Sequence, residues 1–201
     1  IDTQKFSYTP APSDNKLTLL VGSAPWIRRQ FTTKGIDLLL TAAATDKNLR
    51  LIFLWRGWLV NELKKRVAHM GLRRQVEIIN QYAEVNTLLA QAHATIVLAD
   101  SAKLVKAFPH SLIESLAAGK PVLVSACIPM ADYVTETQCG TTIPELETES
   151  LRNALQALRD NYTKYQTNAF ARGQTDFKLA DMLAAYAQAY AETSSHQGLG
   201  E

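Results

Sequence analysis

Six short apolar runs, each followed by a helical pattern, constrain the fold of this chain more than any other feature. The runs LTLLV, LRLIFLW, ATIVLA and PVLVS are apolar on successive residues rather than on alternate ones. That pattern is typical of parallel strands buried on both faces of a sheet. Strand and helix in regular succession therefore predict an α/β domain, a doubly wound (Rossmann-like) parallel six-stranded sheet with helices on both faces. The predicted strands are 17–21, 49–55, 76–79, 95–99, 122–125 and 140–143, and the helices that follow them are 35–44, 59–70, 85–92, 109–118, 130–137 and 149–160.

The chain divides into one sheet domain with a lead-in and a helical tail. Residues 1–16 hold turn formers and two prolines but no sustained apolar period, which predicts a linker from a preceding domain. Residues 17–161 form the predicted sheet domain, 162–192 form C-terminal helices that pack on it or toward a missing lobe, and 193–201 are a polar tail predicted to be disordered. The chain starts at Ile1 rather than Met, which favours a processed chain or an excised piece of a longer one. The second tail helix has an apolar face that needs a surface to cover, made of Leu179, Met182, Leu183, Tyr186, Ala189 and Tyr190.

Composition excludes several classes of protein and names no partner. With 201 residues, 47% hydrophobic and 20% charged, the chain is neither disordered nor collagen-like nor a coiled coil. Its 21 basic and 19 acidic residues give a net charge of +2, without the concentrated positive field of most nucleic-acid binders or membrane-surface proteins. Residues 1–100 carry +5 (13 basic, 8 acidic) and residues 101–201 carry −3 (8 basic, 11 acidic). The first half therefore either hosts an anionic ligand or is an ordinary solvated basic face.

The cysteines and the apolar runs bear on the compartment. Cys127 and Cys139 lie twelve positions apart, with no C-x-x-C pair and no histidine at metal-ligand spacing. This spacing argues against a zinc site and a disulfide framework, and it favours a reducing compartment. Every apolar run falls short of the roughly 18 to 20 residues of a membrane span, and no signal-peptide pattern opens the sequence.

The loop after the first strand, GSAPWIRRQFTTKG, is a candidate phosphate site. Gly22 permits a sharp exit from the strand, and Arg28, Arg29 and Lys34 bring three cations to the segment that opens the first helix. Helix N-terminal amides also favour an anion, so the loop predicts a diphosphate cradle, with a solvated basic surface as the alternative. The loop matches neither G-x-G-x-x-G nor G-x-x-x-x-G-K-[ST].

The start of the fourth helix is the second candidate. Pro109 suits a first helical turn, so His110 and Ser111 would point from the helix start toward a ligand. Glu114 lies about one turn further on, where a carboxylate accepts hydrogen bonds from two vicinal hydroxyls, as in ribose recognition. An exposed helix position is the alternative for Glu114. His110, Ser111 and Glu114 crowd one helical turn, so they do not form a catalytic triad.

Aromatic residues also lie in the loops at the carboxyl ends of the predicted strands, where a doubly wound sheet binds its ligand. Arg56 and Trp58 follow the second strand, and Trp26 lies in the first loop. The two tryptophans would pack against a ligand or an absent domain, or within the loops themselves.

A family resemblance is carried by the segment KAFPHSLIESLAAGKPVLVS. It resembles the hallmark E-(G/A)-F-(G/P)-x-x-(L/P)-L-E-A-M-A-x-G-x-P-V-(V/I) of retaining family-4 glycosyltransferases (glycosyl transferases group 1) of the GT-B fold. The likeness extends over residues 1–192, from IDTQKF through VGSAPWIRRQFTTKGIDLLLTAAA to the hallmark itself. It implies that the chain is the C-terminal, nucleotide-sugar-binding lobe of a two-domain enzyme.

The resemblance also assigns residues to the diphosphate. It gives Lys34, with Arg28 or Arg29, to the diphosphate and to stabilisation of the leaving group. It places the backbone amides of Leu112 and Ile113 close to the diphosphate, in the loop and helix start that include His110 and Ser111.

The nucleoside is assigned to a second set of residues. The resemblance gives Glu114 to the ribose hydroxyls and places Asn80 and Gln81 in the loop that reads the base, with Leu88 packing on it. Two positions depart from the family pattern. Lys106 replaces the first hallmark Glu, which contacts the transferred sugar, and Ser23 replaces the Arg that follows the first-strand Gly.

The activity that the resemblance implies is sugar transfer from a UDP- or GDP-sugar to an acceptor, with retention at the anomeric carbon. It implies a role in cell-surface polysaccharide, lipopolysaccharide or glycolipid synthesis, no cofactor, no required metal and no nucleic-acid partner. A missing N-terminal domain would bind most of the acceptor and mediate any peripheral membrane association. The full-length protein would then be cytoplasmic or at the inner face of the membrane, and the isolated chain would be inactive.

Three alternatives remain open at this point. The first is a non-catalytic glycosyltransferase-like nucleotide-binding or assembly module, with Lys106 marking a lost sugar site. The second is a receiver or flavodoxin-like module, although a receiver needs an acidic pair where this chain has Gly22 and Ser23. The third is a two-domain epimerase of the same fold, which the hallmark segment fits poorly.

Overall fold

The computed structural model describes residues 1–13 and 15–196, and its centre is a six-stranded parallel sheet. The strand order is β3-β2-β1-β4-β5-β6, and every neighbouring pair is parallel. The predicted doubly wound α/β fold is therefore confirmed. The strands are β1 Leu17–Val21, β2 Leu49–Leu54, β3 Val76–Ile79, β4 Ala94–Val97, β5 Val122–Ser125 and β6 Gly140–Ile143.

Helices surround this sheet and continue into the C-terminal tail. The α-helices are α1 Gln30–Thr33, α2 Ile36–Thr45, α3 Val60–His69, α4 Val85–Gln91, α5 His110–Ala117, α6 Met130–Thr137, α7 Thr148–Asp160, α8 Tyr162–Thr175 and α9 Leu179–His196. Short 3₁₀ turns cover Thr3–Lys5 and Ala102–Leu104.

The first predicted helix begins one residue late and is preceded by a separate turn of helix. Gly35 has a φ of 63°, a left-handed conformation that glycine adopts without a steric penalty. This residue separates α1 from α2, and Phe31 and Ile36 on either side of it are both buried. A built Cβ at Gly35 would lie 2.6 Å from Leu98, so the bend also lets the helix pack against the end of β4.

The strand order sets where a ligand can bind. The register pairs Val21 at the end of β1 with Ile96 in β4, so the loops that leave these neighbouring strands start side by side. The chain connections of β1 and β4 lead to opposite sides of the sheet, which makes this the switch point of the topology. Open α/β sheets bind ligands in the crevice at such a point, outside the carboxyl ends of the strands.

Helix α5 is held against α8 by unusually close packing. A Cβ built on Gly173 in α8 would lie 2.1 Å from the backbone carbon of Leu116 in α5. Gln174, one residue further along α8, donates its side-chain amide to the carbonyl of Ala117 at 2.8 Å. The two contacts fix the helix whose first turn faces the crevice.

The segment predicted as a linker lies against the domain over its first ten residues. The amino group of Ile1 donates to the carbonyl of Phe177 at 2.8 Å. The ring of Tyr8 packs edge-on against Phe170, with centroids 5.2 Å apart. Pro10 offers its carbonyl to the buried ammonium of Lys120 at 2.6 Å.

The apolar face of α9 is exposed in this chain. Its side chains at Leu179, Met182, Leu183, Tyr186 and Tyr190 are all exposed to solvent. Helix α9 continues to His196, and the rest of the predicted tail, 197–201, lies outside the described residues. No helix in the described part of the chain is both long and apolar enough to cross a membrane.

Candidate functional site

A cleft of about 930 Å³ opens at the carboxyl ends of β1, β2 and β4. Its walls are the loops that follow these three strands together with the first residues of α5. This is the position that the sheet topology predicts for a ligand. The lining residues are Gly22, Ser23, Ala24, Pro25, Trp26, Lys34, Arg56, Gly57, Trp58, Val97, Lys103, Leu104, Val105, Lys106, Pro109, His110 and Ser111.

Lys34 is a buried cation in the cleft wall. Only 5% of the residue is exposed, and its ammonium donates to the carbonyl of Ala24 at 3.0 Å. Burial lowers the pKa of Lys34 below the ordinary lysine value. Within residues 1–13 and 15–196 no carboxylate pairs with it. A buried ammonium with a single neutral partner is poised to bind an anion.

The first turn of α5 presents two open backbone donors. The amides of Leu112 and Ile113 donate to the carbonyl of Pro109 at 3.0 and 3.2 Å, and their side chains are buried. The amides of His110 and Ser111 make no hydrogen bond to any described residue. The family resemblance assigned the amides of Leu112 and Ile113 to the diphosphate, but the open donors are those of the two preceding residues. His110 and Ser111 both line the cleft.

Gly22 lets the first loop approach α5 closely. A Cβ built on Gly22 would lie 2.5 Å from Ser111 Oγ and 2.6 Å from Ser111 Cβ. Both distances are too short for any other residue type at position 22 without a movement of the loop or the helix. The close approach brings the two predicted phosphate elements, one after β1 and one after β4, into a single wall.

Glu114 lies one turn into α5 from the cleft. Its carboxylate is half-buried and has no hydrogen-bond partner in the part of the chain that the structure describes. Burial raises the pKa of Glu114, and the positive amino group of Ile1 partly offsets this increase. A partly desolvated carboxylate that accepts no hydrogen bond from the described residues is suited to accept hydrogen bonds from ligand hydroxyls.

Several predicted residues lie apart from the cleft wall. Arg28 and Arg29 are exposed in the turn before α1 and do not line it. Asn80 and Gln81 are exposed beyond the end of β3, also outside the lining. Leu88 is buried in an apolar cluster with core residues of β1 and β2.

Arg56 and Lys103 add positive charge to the cleft, and the family resemblance had assigned neither of them to the ligand. Arg56 follows β2 and Lys103 lies in the 3₁₀ turn after β4, and both line the cleft. The sequence feature that could have indicated Lys103 is its position beside Lys106, in one short loop between a buried strand and Pro109. Together with Lys34 and Lys106 they give the cleft four formal positive charges, and none of its described lining residues is acidic.

Two exposed tryptophans line the cleft. Trp26 is 73% exposed and Trp58 is 78% exposed, and the indole N–H of Trp58 donates to the carbonyl of Trp26 at 3.0 Å. Arg56 lies over the ring of Tyr82, 5.9 Å from its centroid. The two indoles form a polarisable part of the rim around a positive interior.

Metal-ligating side chains and thiols are the remaining reactive groups of the described residues. In the described parts of the chain, no three His, Cys, Asp or Glu side chains gather as a metal site would require. Cys139 is buried and Cys127 is exposed, both as free thiols.

One family model matches most of this chain. The sequence model of the glycosyl transferases group 1 family matches residues 11–174. No curated protein matches the chain significantly.

Solved structures share the fold at low sequence identity. WaaG, a glycosyltransferase involved in lipopolysaccharide biosynthesis, is 23% identical, with a TM-score of 0.65 over 82% of this chain and 44% of WaaG. HepE of Anabaena in complex with UDP is 19% identical, with a TM-score of 0.76 over 96% of this chain and 56% of HepE. The chain thus spans about half the length of these two proteins.

A shorter structure matches along almost its whole length. The C-terminal domain of LpcC, a glycosyl transferase group 1 family protein from Francisella tularensis, is 15% identical. Its TM-score is 0.67, over 89% of this chain and 99% of that domain.

Proposed function

The chain belongs to the glycosyl transferases group 1 family, and we propose that it binds the nucleotide-sugar donor of a glycosyltransferase. The family match over residues 11–174 confirms the resemblance seen in the hallmark segment. The observation that carries the proposal is the anion site made by Lys34 and the open amides of His110 and Ser111, with Glu114 one helical turn away.

The phosphate end of the donor fits the wall between the first loop and α5. Lys34 and the two amides offer a charge and two dipoles to a diphosphate, and the residue that carries the charge is buried. Arg28 and Arg29 are exposed in the same loop, and we propose that they add charge from the solvent side when the diphosphate is bound.

The nucleoside follows along α5 and toward β3. The Glu114 carboxylate accepts hydrogen bonds from the two ribose hydroxyls. These hydroxyls are the hydrogen-bond donors that the carboxylate lacks among the described residues. Asn80 and Gln81 meet the base with backbone groups, and Leu88 supports that loop from within the core.

The chemistry in this proposal is electrostatic. The acceptor hydroxyl oxygen forms the new bond to the anomeric carbon, and the bond from that carbon to the β-phosphate oxygen breaks. The nucleoside diphosphate leaves with the electron pair, and the acceptor's proton is released to phosphate or solvent. Negative charge grows on the β-phosphate as the bond breaks, and fixed donors at that oxygen lower the barrier. Lys34 and the α5 amides supply this stabilisation without a metal ion.

A second lobe would complete the enzyme. Because the chain spans about half of WaaG and HepE, we propose that the parent protein holds another domain that binds most of the acceptor and mediates any contact with a membrane surface. HepE has been solved with UDP and with UDP-glucose, which makes a UDP-sugar a reasonable first donor to test, with a GDP-sugar beside it. Retention at the anomeric carbon, a cytoplasmic site of action and a role in cell-surface glycan synthesis follow from the family resemblance.

Titration of this chain with nucleotides tests the donor site. We expect UDP or GDP to bind weakly and to shift the amide NMR signals of His110 and Ser111. Glu114→Gln should weaken nucleotide binding about tenfold, since a hydrogen bond to a charged group contributes about 1.5 to 3 kcal/mol. The same variant should leave the binding of inorganic pyrophosphate unchanged, because pyrophosphate has no ribose.

The two arms of the titration separate the outcomes. No response to UDP, GDP or ADP at millimolar concentration would refute the donor site. Equal losses for nucleotide and pyrophosphate would assign Glu114 to structure rather than to ribose. Mass spectrometry of the full-length protein's product, with a panel of nucleotide sugars, tests transfer itself, and binding without transfer would favour the non-catalytic alternative.

A further inference from the structure

The cleft carries more positive charge than a diphosphate requires. Lys34 and the α5 amides already serve the phosphates in the proposed function. Three further cations line the same cleft, Arg56, Lys103 and Lys106, and none of them forms an ion pair with a carboxylate in the described parts of the chain. Unpaired charges of one sign in a concave site raise the local concentration of ligands of opposite sign.

Two of these cations belong to the loop that leads into α5. Lys103 and Lys106 lie between the end of β4 and Pro109, and this loop forms a wall of the cleft that also contains His110 and Ser111 with their open amides. A sugar attached to a β-phosphate at these amides therefore lies beside this wall. Arg56 is on the opposite side of the cleft, after β2, where its guanidinium lies over the ring of Tyr82.

We propose that the transferred sugar is itself an anion, so that the donor is a nucleoside-diphosphate sugar acid such as a uronate. This inference rests on the proposed donor site. The sugar carboxylate binds the ammonium groups of Lys106 and Lys103, each of which has three hydrogen-bond donors to offer. A carboxylate side chain at position 106 would repel such a sugar, whereas lysine attracts it.

The expected preference is moderate because both lysines are exposed. An exposed charge pair changes binding by about twofold to fivefold. Because the two lysines share one carboxylate, their effects do not add fully, and together they give a preference of about threefold to tenfold for the anionic sugar at low salt. Salt should reduce this preference, because exposed charges are screened by ions.

Paired ligands that differ only in the sugar carboxylate test the inference. The binding constants of UDP-glucuronate and UDP-glucose, and of GDP-mannuronate and GDP-mannose, are measured on this chain by calorimetry at low salt. We expect the uronate of at least one pair to bind about threefold to tenfold more tightly. Lys106→Met should reduce the ratio of the two constants about two- to fivefold, and Lys106→Glu should bring it to one or below.

A matched control removes the same charge elsewhere. Lys64 is exposed on α3, outside the cleft, so Lys64→Met lowers the net charge equally and should leave the ratio unchanged. A uronate preference that survives in Lys106→Met and in Lys103→Met, or that falls equally in Lys64→Met, would overturn the assignment to this wall. Nucleotide binding with a ratio of one in both pairs would overturn the anionic sugar and leave the donor site intact. Loss of all nucleotide binding would instead overturn the proposed function.

Discussion

The buried ammonium of Lys120 should make the stability of this domain rise as the solution becomes more alkaline. Lys120 follows α5 and is 0% exposed, and among the described residues its ammonium donates only to the carbonyl of Pro10. Burial lowers the pKa of Lys120 from 10.5 to about 8. Between these two values the unfolded chain binds more protons than the folded one, so the free energy of unfolding increases with pH in this window.

The size of the effect follows from the two pKa values. The shift corresponds to a penalty of about 3 kcal/mol for the folded state, fully present below about pH 8. The penalty falls to about 1 kcal/mol at pH 10, where most unfolded chains still carry the proton but few folded ones do. Lys120→Met keeps the length of the side chain and removes the charge, but it also removes a hydrogen bond of about 1 kcal/mol. The variant should therefore be about 2 kcal/mol more stable than wild type at pH 7 and about equal to it at pH 10.

Urea unfolding followed by circular dichroism at several pH values between 7 and 10 measures this difference. Burial also raises the pKa of Cys139 and of the half-buried Tyr162, but it does so in both proteins, so these effects cancel in the difference. Lys64→Met, at an exposed position, should show no pH-dependent difference from wild type. A constant difference between wild type and Lys120→Met from pH 7 to pH 10 would refute the burial argument.

Three further substitutions test the anion site and the packing behind it. Lys34→Met should weaken the binding of UDP or GDP at least tenfold in calorimetry and leave the weak binding of uridine unchanged, because the nucleoside lacks the phosphates; an equal loss for both ligands would contradict this. Gly22→Ala should destabilise the chain by about 1 to 3 kcal/mol in urea because its Cβ meets the side chain of Ser111, and Ser111→Gly in the same chain should restore much of the loss. Gly173→Ala should destabilise it by more than about 3 kcal/mol, or prevent folding, because the new Cβ would meet the backbone of Leu116; a melting temperature within a few degrees of wild type would show that α5 and α8 can separate.

The sheet was predictable because short runs that are apolar on successive residues, each followed by a helical pattern, are typical of strands buried on both faces of a parallel sheet. The ends of the strands were less so. The sequence predicts a fourth strand over 95–99, but β4 is Ala94–Val97. Ala99 is still buried, yet its amide donates to the side-chain hydroxyl of Ser125 at 3.0 Å rather than to a neighbouring strand. Burial and strand pairing end at different residues here, and an apolar run reports only burial.

The site was predictable where the residue type itself limits the options. Gly22, Pro109 and Lys34 lie at a strand exit, a helix start and a buried loop position, and each has a conformational or electrostatic reason to be there. Arg28 and Arg29 have no such constraint, since arginines in a loop turn toward solvent as easily as toward a cleft. The helical period of α4 predicts that Leu88 is buried, but it does not tell whether this helix also faces a ligand.

The orientation of α5 depends on contacts that no local pattern contains. Its far end is held by the N-terminal segment, where the amide of Thr9 donates to the carbonyl of Ala118 at 3.1 Å and the ring of Tyr8 lies over Gly119. Its side is held by Gly173, more than fifty residues later in the chain. The hallmark segment can therefore be recognised from its own twenty residues. The direction in which the first turn of α5 points, however, is set by contacts with the N-terminal segment and with α8. In the proposed donor site the open amides of α5 bind the diphosphate only when they face the first loop, so loosening either contact should weaken phosphate binding without touching a residue of the cleft.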